Sequence, residues 1–310
     1  MQSTDVSVIV ISYNTRDFTQ KCLASIYRET CGVSFEIIVV DNASSDGSAE
    51  MVESLFPQVR LIRSASNVGF GPGNNLAAEQ ANGRYLLLLN PDTTVNDNAI
   101  AVLFECAAAN PEPGAWGGVC ELPNGQVDPG CRQIMPGLWS LFSGFFVPYR
   151  RIVRRMDRSK DFQGDVPVLS GAFMMVRSDV WCELGGFDES FKLYAEECDL
   201  CYSILKAKYR IVMTGKARIV HYGGAEERDN SRNELNQTRG VMQFFRKHYS
   251  IGGATVAGLL IWFYSIELMV AACLSIPFAG TRKCRAVCRR LSIVALHPSR
   301  WWHGWKGQEL

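Results

Sequence analysis

Short runs rich in valine, isoleucine and leucine alternate with helix-spaced segments through the first hundred residues, and this alternation fixes the class of fold. The runs are Val6 to Ser12, Glu36 to Asp41, Val59 to Arg63 and Arg84 to Asn90. Between them lie Asp17 to Arg28, Asp46 to Phe56 and Asn74 to Asn82, and Asp97 to Ala109 follows the last run. Strands apolar on both faces belong in a parallel sheet covered by helices on each side. The expectation is an α/β fold with a mostly parallel central sheet. Ligands of such sheets bind beyond the carboxyl ends of the strands. Here those ends run into the polar strings Ser12-Tyr13-Asn14, Asp41-Asn42-Ala43-Ser44 and Asn90-Pro91-Asp92.

Beyond Gly114 the pattern is less regular, with one strand expected over Val168 to Val176. A helix over Glu196 to Lys208 and two short strands, Arg210 to Met213 and Ala217 to His221, follow. Composition turns apolar at Gly252, which places a main domain at 1–250 and a membrane-associated segment at 251–310. With 32 basic against 31 acidic residues, no global field draws in nucleic acid. Eleven irregularly spaced cysteines, and a start unlike a secretory signal, read as a reducing, cytoplasmic compartment. Cys198-x-x-Cys201 lies in an acidic helical segment and Cys284-x-x-x-Cys288 in a basic tail, so the two pairs are not expected to share a zinc ion.

Several strings are suited to chemistry. Asp41 ends a buried strand, where a carboxylate can accept a hydrogen bond from a base N–H; Asp there equally serves as a helix cap or turn residue. The glycine-rich turn from Asn67 through Gly69 to Asn74 lets backbone amides approach phosphates, or is simply a tight turn into a helix. Its spacing matches neither a dinucleotide fingerprint nor a P-loop. Leu89-Asn90-Pro91-Asp92 delivers Asp92 to the sheet edge, where a carboxylate can hold a hard cation bridging two phosphates. Glu196, Glu197 and Asp199 crowd one helix start, where acids also complement the helix dipole. His221 closes a strand, a position at which a lone histidine is more often structural than catalytic.

Taken in order, these strings resemble glycosyltransferase family 2, inverting enzymes of the GT-A fold. The resemblance runs from about Val6 to Gly224. It rests on Ser12-Tyr13-Asn14, the block Val40 to Gly47, the turn Asn67 to Asn75, Asn90-Pro91-Asp92, the stretch Gly185 to Cys201 and the terminal His221-Tyr222-Gly223-Gly224. Within the family the chain looks most like bacterial rhamnosyltransferase-type enzymes of cell-surface polysaccharide synthesis. The resemblance implies that Asp41 contacts the nucleotide base, with Ser12, Tyr13, Asn14, Asn67, Gly69, Asn74 and Asn90 around the nucleotide. It further implies that Asp92 and His221 hold Mg2+ or Mn2+ and that Glu197 is the general base, with Glu196 as the alternative. Asn90 stands where the family's motif has its first Asp, and Glu197 where Asp is more frequent. The implied donor is a dTDP- or UDP-sugar, dTDP-L-rhamnose first, and the implied acceptor a polyprenyl-diphosphate-linked saccharide. A nucleotidyltransferase of related fold and a non-catalytic sugar-nucleotide-binding scaffold are the rival classes.

Two features concern the acceptor side. Trp139, Phe142, Phe145 and Phe146 precede Arg150, Arg154 and Arg158, whose i, i+4 spacing sets them on one helix face. That face reads either as an ordinary solvated surface or as one that meets membrane lipids and a lipid diphosphate. The stretch Ala254 to Ile276 is long enough to cross a bilayer, but basic clusters flank both ends and Glu267 interrupts it. Together with Trp301, Trp302 and Trp305, placed for an interface, it reads as a monotopic or re-entrant attachment to the cytoplasmic face, and a helix buried in a soluble protein is the alternative.

Overall fold

The computed structural model describes residues 4–146, 159–223, 230–275 and 281–306. The strands are β1 (Val6–Ser12), β2 (Phe35–Asp41), β3 (Arg60–Arg63), β4 (Tyr85–Leu89), β5 (Thr93–Val95), β6 (Ala115–Glu121), β7 (Arg132–Gln133), β8 (Gln163–Asp165), β9 (Val168–Leu169), β10 (Phe173–Arg177) and β11 (Ile211–His221). Helices α1 (Arg16–Glu29), α2 (Ser48–Leu55), α3 (Phe70–Ala78), α4 (Ala99–Ala109), α6 (Ser178–Leu184) and α7 (Glu196–Lys206) connect them. The helices α5 (Leu138–Phe146), α8 (Asn230–His248), α9 (Ile251–Leu274) and α10 (Thr281–Ala295) belong to a second unit.

Among the described residues, nine strands form one mixed sheet in the order β3-β2-β1-β4-β10-β6-β11-β5, with β8 on β11. The first four are parallel, and β10 enters antiparallel between β4 and β6. Strands β1 and β4 are buried throughout, which accounts for their largely apolar sequences, Ser7 and Ser12 of β1 excepted. Burying each such Val, Leu or Ile contributes about 1.5–3 kcal/mol.

Three expectations are corrected. The single strand over Val168 to Val176 is broken at Ser170–Ala172, so that β9 pairs with β7 and only β10 joins the main sheet. The two strands before His221 are one, β11, whose register shifts between Met213 and Arg218. A Cβ on Gly215 within that shift would lie 2.1 Å from the Lys160 carbonyl oxygen, so the bulge needs glycine. Helix α3 starts at Phe70 rather than Asn74, because Pro72 sits in the first helical turn, where its missing N–H costs no intrahelical bond.

The chain divides into two compact units, the first carrying the sheet and the second the helices from α8 onward together with α5 and Ser190–Glu196. In the second unit α10 packs back along α9. Trp262 Nε1 donates to the Ala295 carbonyl (2.8 Å), Cys288 donates to the Met269 carbonyl (3.8 Å), and Cys273 Sγ lies 3.7 Å from Cys288 Sγ. The tryptophans assigned to an interface divide. Trp301 is fully buried, its indole N–H on the Val294 carbonyl, Trp305 is buried too, and only Trp302 is half-exposed. The chain after α10 returns onto α8 and α10, turning these rings into core.

Candidate active site

Parallel pairing brings the ends of β1 and β2 level, with Ser12 opposite Asp41. Asp41 is buried; its Oδ2 accepts the Ser44 N–H at 3.0 Å, while its buried Oδ1 has no partner among the described residues. A buried oxygen left without a donor is costly, and an arriving base N–H would satisfy it. Asn42 clamps the glycine-rich turn to the strand end, accepting the Val68 N–H at 3.0 Å and donating to the Gly69 carbonyl at 3.1 Å. Asn67 accepts the Gly69 N–H at 3.0 Å, and Gly69 has φ +95°, a conformation that favours glycine. Asn74 donates to the Phe70 carbonyl, and its buried Oδ1 is the second oxygen here without a partner among the described residues.

Asn14 accepts the Ser45 N–H at 2.8 Å, linking the β1 and β2 loops, and Tyr13 is exposed. Both Asn14 (φ +52°) and Ala43 (φ +61°) hold left-handed backbone at this edge, strain of the kind that clusters at functional sites. The Ser12 hydroxyl, fully buried, is engaged with Thr15 and Thr19. Asn90 is held by its backbone, donating to Ala172 and accepting from the Thr93 hydroxyl at 2.7 Å.

Asp92 and His221 meet because β5 pairs antiparallel with the end of β11, setting His221 opposite Thr93, and the Tyr222 N–H bonds the Asp92 carbonyl at 2.9 Å. His221 Nε2 lies 3.3 Å from Asp92 Oδ1, and Nδ1 lies 2.7 Å from Asp128 Oδ2. Burial disfavours charge on His221, but the hydrogen bonds and charges of Asp128 and Asp92 outweigh it and raise the pKa to about 10. Asp128 is held below the ordinary carboxylate range, the His221 contact and the Gly130 N–H overcoming its burial. The site therefore favours positive charge between Nε2 and Asp92. Among the described residues no group of three or more His, Cys, Asp or Glu is arranged to hold a metal, the Cys198–Cys201 and Cys284–Cys288 pairs included. The pair fits a cation all the same: an imidazole nitrogen beside a carboxylate oxygen is a donor set that Mn2+ or Mg2+ accepts when phosphates and water complete the sphere.

Glu197 lies in the first turn of α7, after Tyr194 and Ala195, both left-handed at φ +67° and +68°. Its Oε1 accepts from Gln133 Nε2 at 3.0 Å. Burial raises the pKa of its carboxyl, partly offset by its own N–H and by Gln133. Glu196 is buried beside it in sequence. Trp139 and Phe142 are exposed on α5, their ring centroids 5.9 Å apart; Arg150, Arg154 and Arg158 lie outside the described residues.

Both Asp128 and Gln133 come from one segment, 122–133, that sequence reasoning passed over. No motif marks it, and its partners lie 93 and 64 residues away.

Residues 7–184 match the family model described as Glycosyl transferase family 2. The chain belongs to that family. Among relatives of this family 2 chain, N-acetylglucosaminyl-diphospho-decaprenol L-rhamnosyltransferase of Mycobacterium tuberculosis is 27% identical over 237 residues, 71% of this chain and 76% of the relative. The O-antigen biosynthesis protein RfbC of Myxococcus xanthus is 28% identical over 72% of this chain and 18% of its own length. The fold is of the GT-A type. Mannosyltransferase PcManGT from Pyrobaculum calidifontis, solved with GDP-Man and Mn2+, aligns with TM-score 0.60 at 17% identity, over 94% of this chain and 87% of that one.

Proposed function

We propose that this family 2 chain is a metal-dependent inverting glycosyltransferase that moves L-rhamnose from dTDP-L-rhamnose to a polyprenyl-diphosphate-linked saccharide. The Asp92–His221 pair, 3.3 Å apart at the carboxyl edge of the sheet, carries the reading. The decaprenol-linked, rhamnose-transferring relative supports the choice of sugar and acceptor, and the Mn2+ complex of the archaeal mannosyltransferase supports a divalent cation, Mg2+ or Mn2+.

Asp41 accepts an N–H of the base through its unpartnered oxygen. The amides of the turn at Gly69 approach the phosphates. Asp92 and His221 would hold the cation, which supplies Lewis-acid neutralisation of the departing diphosphate. Glu197 takes the proton of the acceptor hydroxyl as its oxygen attacks the anomeric carbon from the face opposite the diphosphate. The anomeric C–O bond to the diphosphate breaks in the same step, so configuration inverts and no sugar–enzyme bond forms. The test is release of nucleotide from a panel of dTDP-, UDP- and GDP-sugars, with Mg2+, Mn2+ or EDTA. We expect dTDP from dTDP-L-rhamnose only with a cation. Release of pyrophosphate from dTTP and a sugar 1-phosphate, with no sugar nucleotide cleaved, would identify a nucleotidyltransferase, and no release from either set of substrates a binding scaffold.

The same reading places the enzyme on the cytoplasmic face of the membrane, attached through α9 without spanning. Val256, Leu259, Phe263, Val270 and Leu274 are exposed, and their spacing sets them on one face of a 24-residue helix that is apolar enough to cross a bilayer. Glu267 is exposed on that face too, four residues after Phe263. Helix α10 lies against the second half of α9, bringing Arg285, Arg289 and the Arg290–Glu234 pair to the same level. A spanning α9 would carry these into hydrocarbon, at roughly 2.5–3.5 kcal/mol for each charged residue near the centre. Full-length protein should sediment with vesicles containing phosphatidylglycerol, and Phe263→Glu should weaken sedimentation at least tenfold. Retention in the membrane after carbonate extraction would instead indicate a span.

A further inference from the structure

The turn after β6 brings to the centre of the site a residue that no motif marks. Leu122 accepts the Gly125 N–H at 2.8 Å and donates to Gln126 at 2.7 Å, closing a tight hairpin. The returning chain bridges Val127 to Glu121, and the Asp128 N–H bonds the Cys120 carbonyl at 2.9 Å. Both carboxylate oxygens of Asp128 are then engaged. Oδ1 accepts the Gly130 N–H at 2.8 Å, and Oδ2 lies 2.7 Å from His221 Nδ1. The Asp128 carbonyl also accepts the Cys131 N–H at 3.0 Å, so backbone and side chain are fixed together.

An ionised carboxylate only accepts, so a hydrogen bond to Oδ2 requires the hydrogen on Nδ1. In the neutral ring this leaves the lone pair on Nε2, the nitrogen that faces Asp92 Oδ1 at 3.3 Å. Turning the ring over would exchange Nδ1 for a carbon and break the short contact. We propose that Asp128 is a positioning residue, holding His221 in the one orientation and tautomer that offers Nε2, alongside Asp92, to the divalent cation of a nucleotide-sugar complex. The inference rests on the reading of Asp92 and His221 as the cation pair. The Asp128 oxygens are engaged by Gly130 and by Nδ1, the ring nitrogen on the opposite side from Nε2, so Asp128 acts on the cation through the imidazole. Its charge also makes the imidazole a stronger base towards a metal, which an amide at this position would not.

The test uses full-length protein and Mn2+ alone, with free Mn2+ read by electron paramagnetic resonance, so that activity does not enter. Outer-shell partners of metal-binding histidines are typically worth 10–100-fold in metal affinity. We expect Asp128→Ala to weaken Mn2+ binding in that range, and Asp128→Asn, which keeps an acceptor oxygen but loses the charge, to fall between Ala and wild type. That graded rescue separates positioning from a general loss of structure, and the milder Asn variant serves as the readout if the Ala variant fails to fold. Asp92→Ala and His221→Ala provide the reference. If both lose Mn2+ while Asp128→Ala and Asp128→Asn bind it within twofold of wild type, the positioning role is overturned and the cation pair stands. If Asp92→Ala and His221→Ala bind Mn2+ as wild type does, the underlying cation reading falls, and this inference with it.

Discussion

Glu197→Gln and Glu197→Ala should lower turnover by about 10²–10⁴-fold, the usual contribution of a positioned general base, and leave donor affinity near wild type. The acceptor hydroxyl attacks poorly unless its proton is taken as the new bond forms, the role proposed for Glu197 at the start of α7. Gln133 holds one carboxylate oxygen at 3.0 Å, fixing the side chain without neutralising it. The pH profile provides a second check. Burial raises the Glu197 pKa, and a base must be ionised to work, so the acid limb of kcat should fall at a pH above the ordinary carboxylate range. Both Glu197 variants should lack that limb. Near wild-type turnover in Glu197→Gln together with loss in Glu196→Gln would transfer the role to Glu196.

The fold was legible where one physical constraint acted alone. A strand covered on both faces carries few polar residues, and β1, its apolar run interrupted by Ser7 and Ser12 alone, falls on the expected Val6–Ser12. The α3 boundary was misplaced because glycine and proline in Gly71-Pro72-Gly73 read as a turn, although a first helical turn tolerates both. At the site, Asp41 and Asp92 stand out in the sequence because the first ends and the second follows a buried apolar strand. His221 became meaningful only through the β5–β11 pairing, which joins segments about 130 residues apart and leaves no periodic trace. Asp128 and Gln133 were illegible for the same reason: Asp128 closes a short irregular hairpin, Gln133 sits on the two-residue β7, and the hydrogen bonds that tie them to His221 and Glu197 are non-local.

Asp92→Ala should cost the most after the base variants, and it separates two roles of one carboxylate. In its proposed role as a cation ligand, Asp92 would support a Lewis-acid contribution of several kcal/mol; since each 1.36 kcal/mol is tenfold in rate, transfer should fall roughly 10³-fold and Mn2+ should no longer stimulate it. As a partner of His221, it helps raise the imidazole to about 10. A histidine whose folded pKa lies above its unfolded value of about 6.5 contributes stability that is fully present below that value and lost as pH rises through about 10. In EDTA, wild-type protein should therefore lose thermal stability between neutral pH and pH 10. Asp92→Ala removes one of the two charges that hold the proton, so it should start from a lower melting temperature at pH 6 and show a shallower alkaline decline. The Asp128 contact at 2.7 Å keeps part of the effect. A variant with wild-type Mn2+ stimulation but a flattened pH–stability curve would make Asp92 a structural partner of His221 alone, and the cation would have to be held elsewhere.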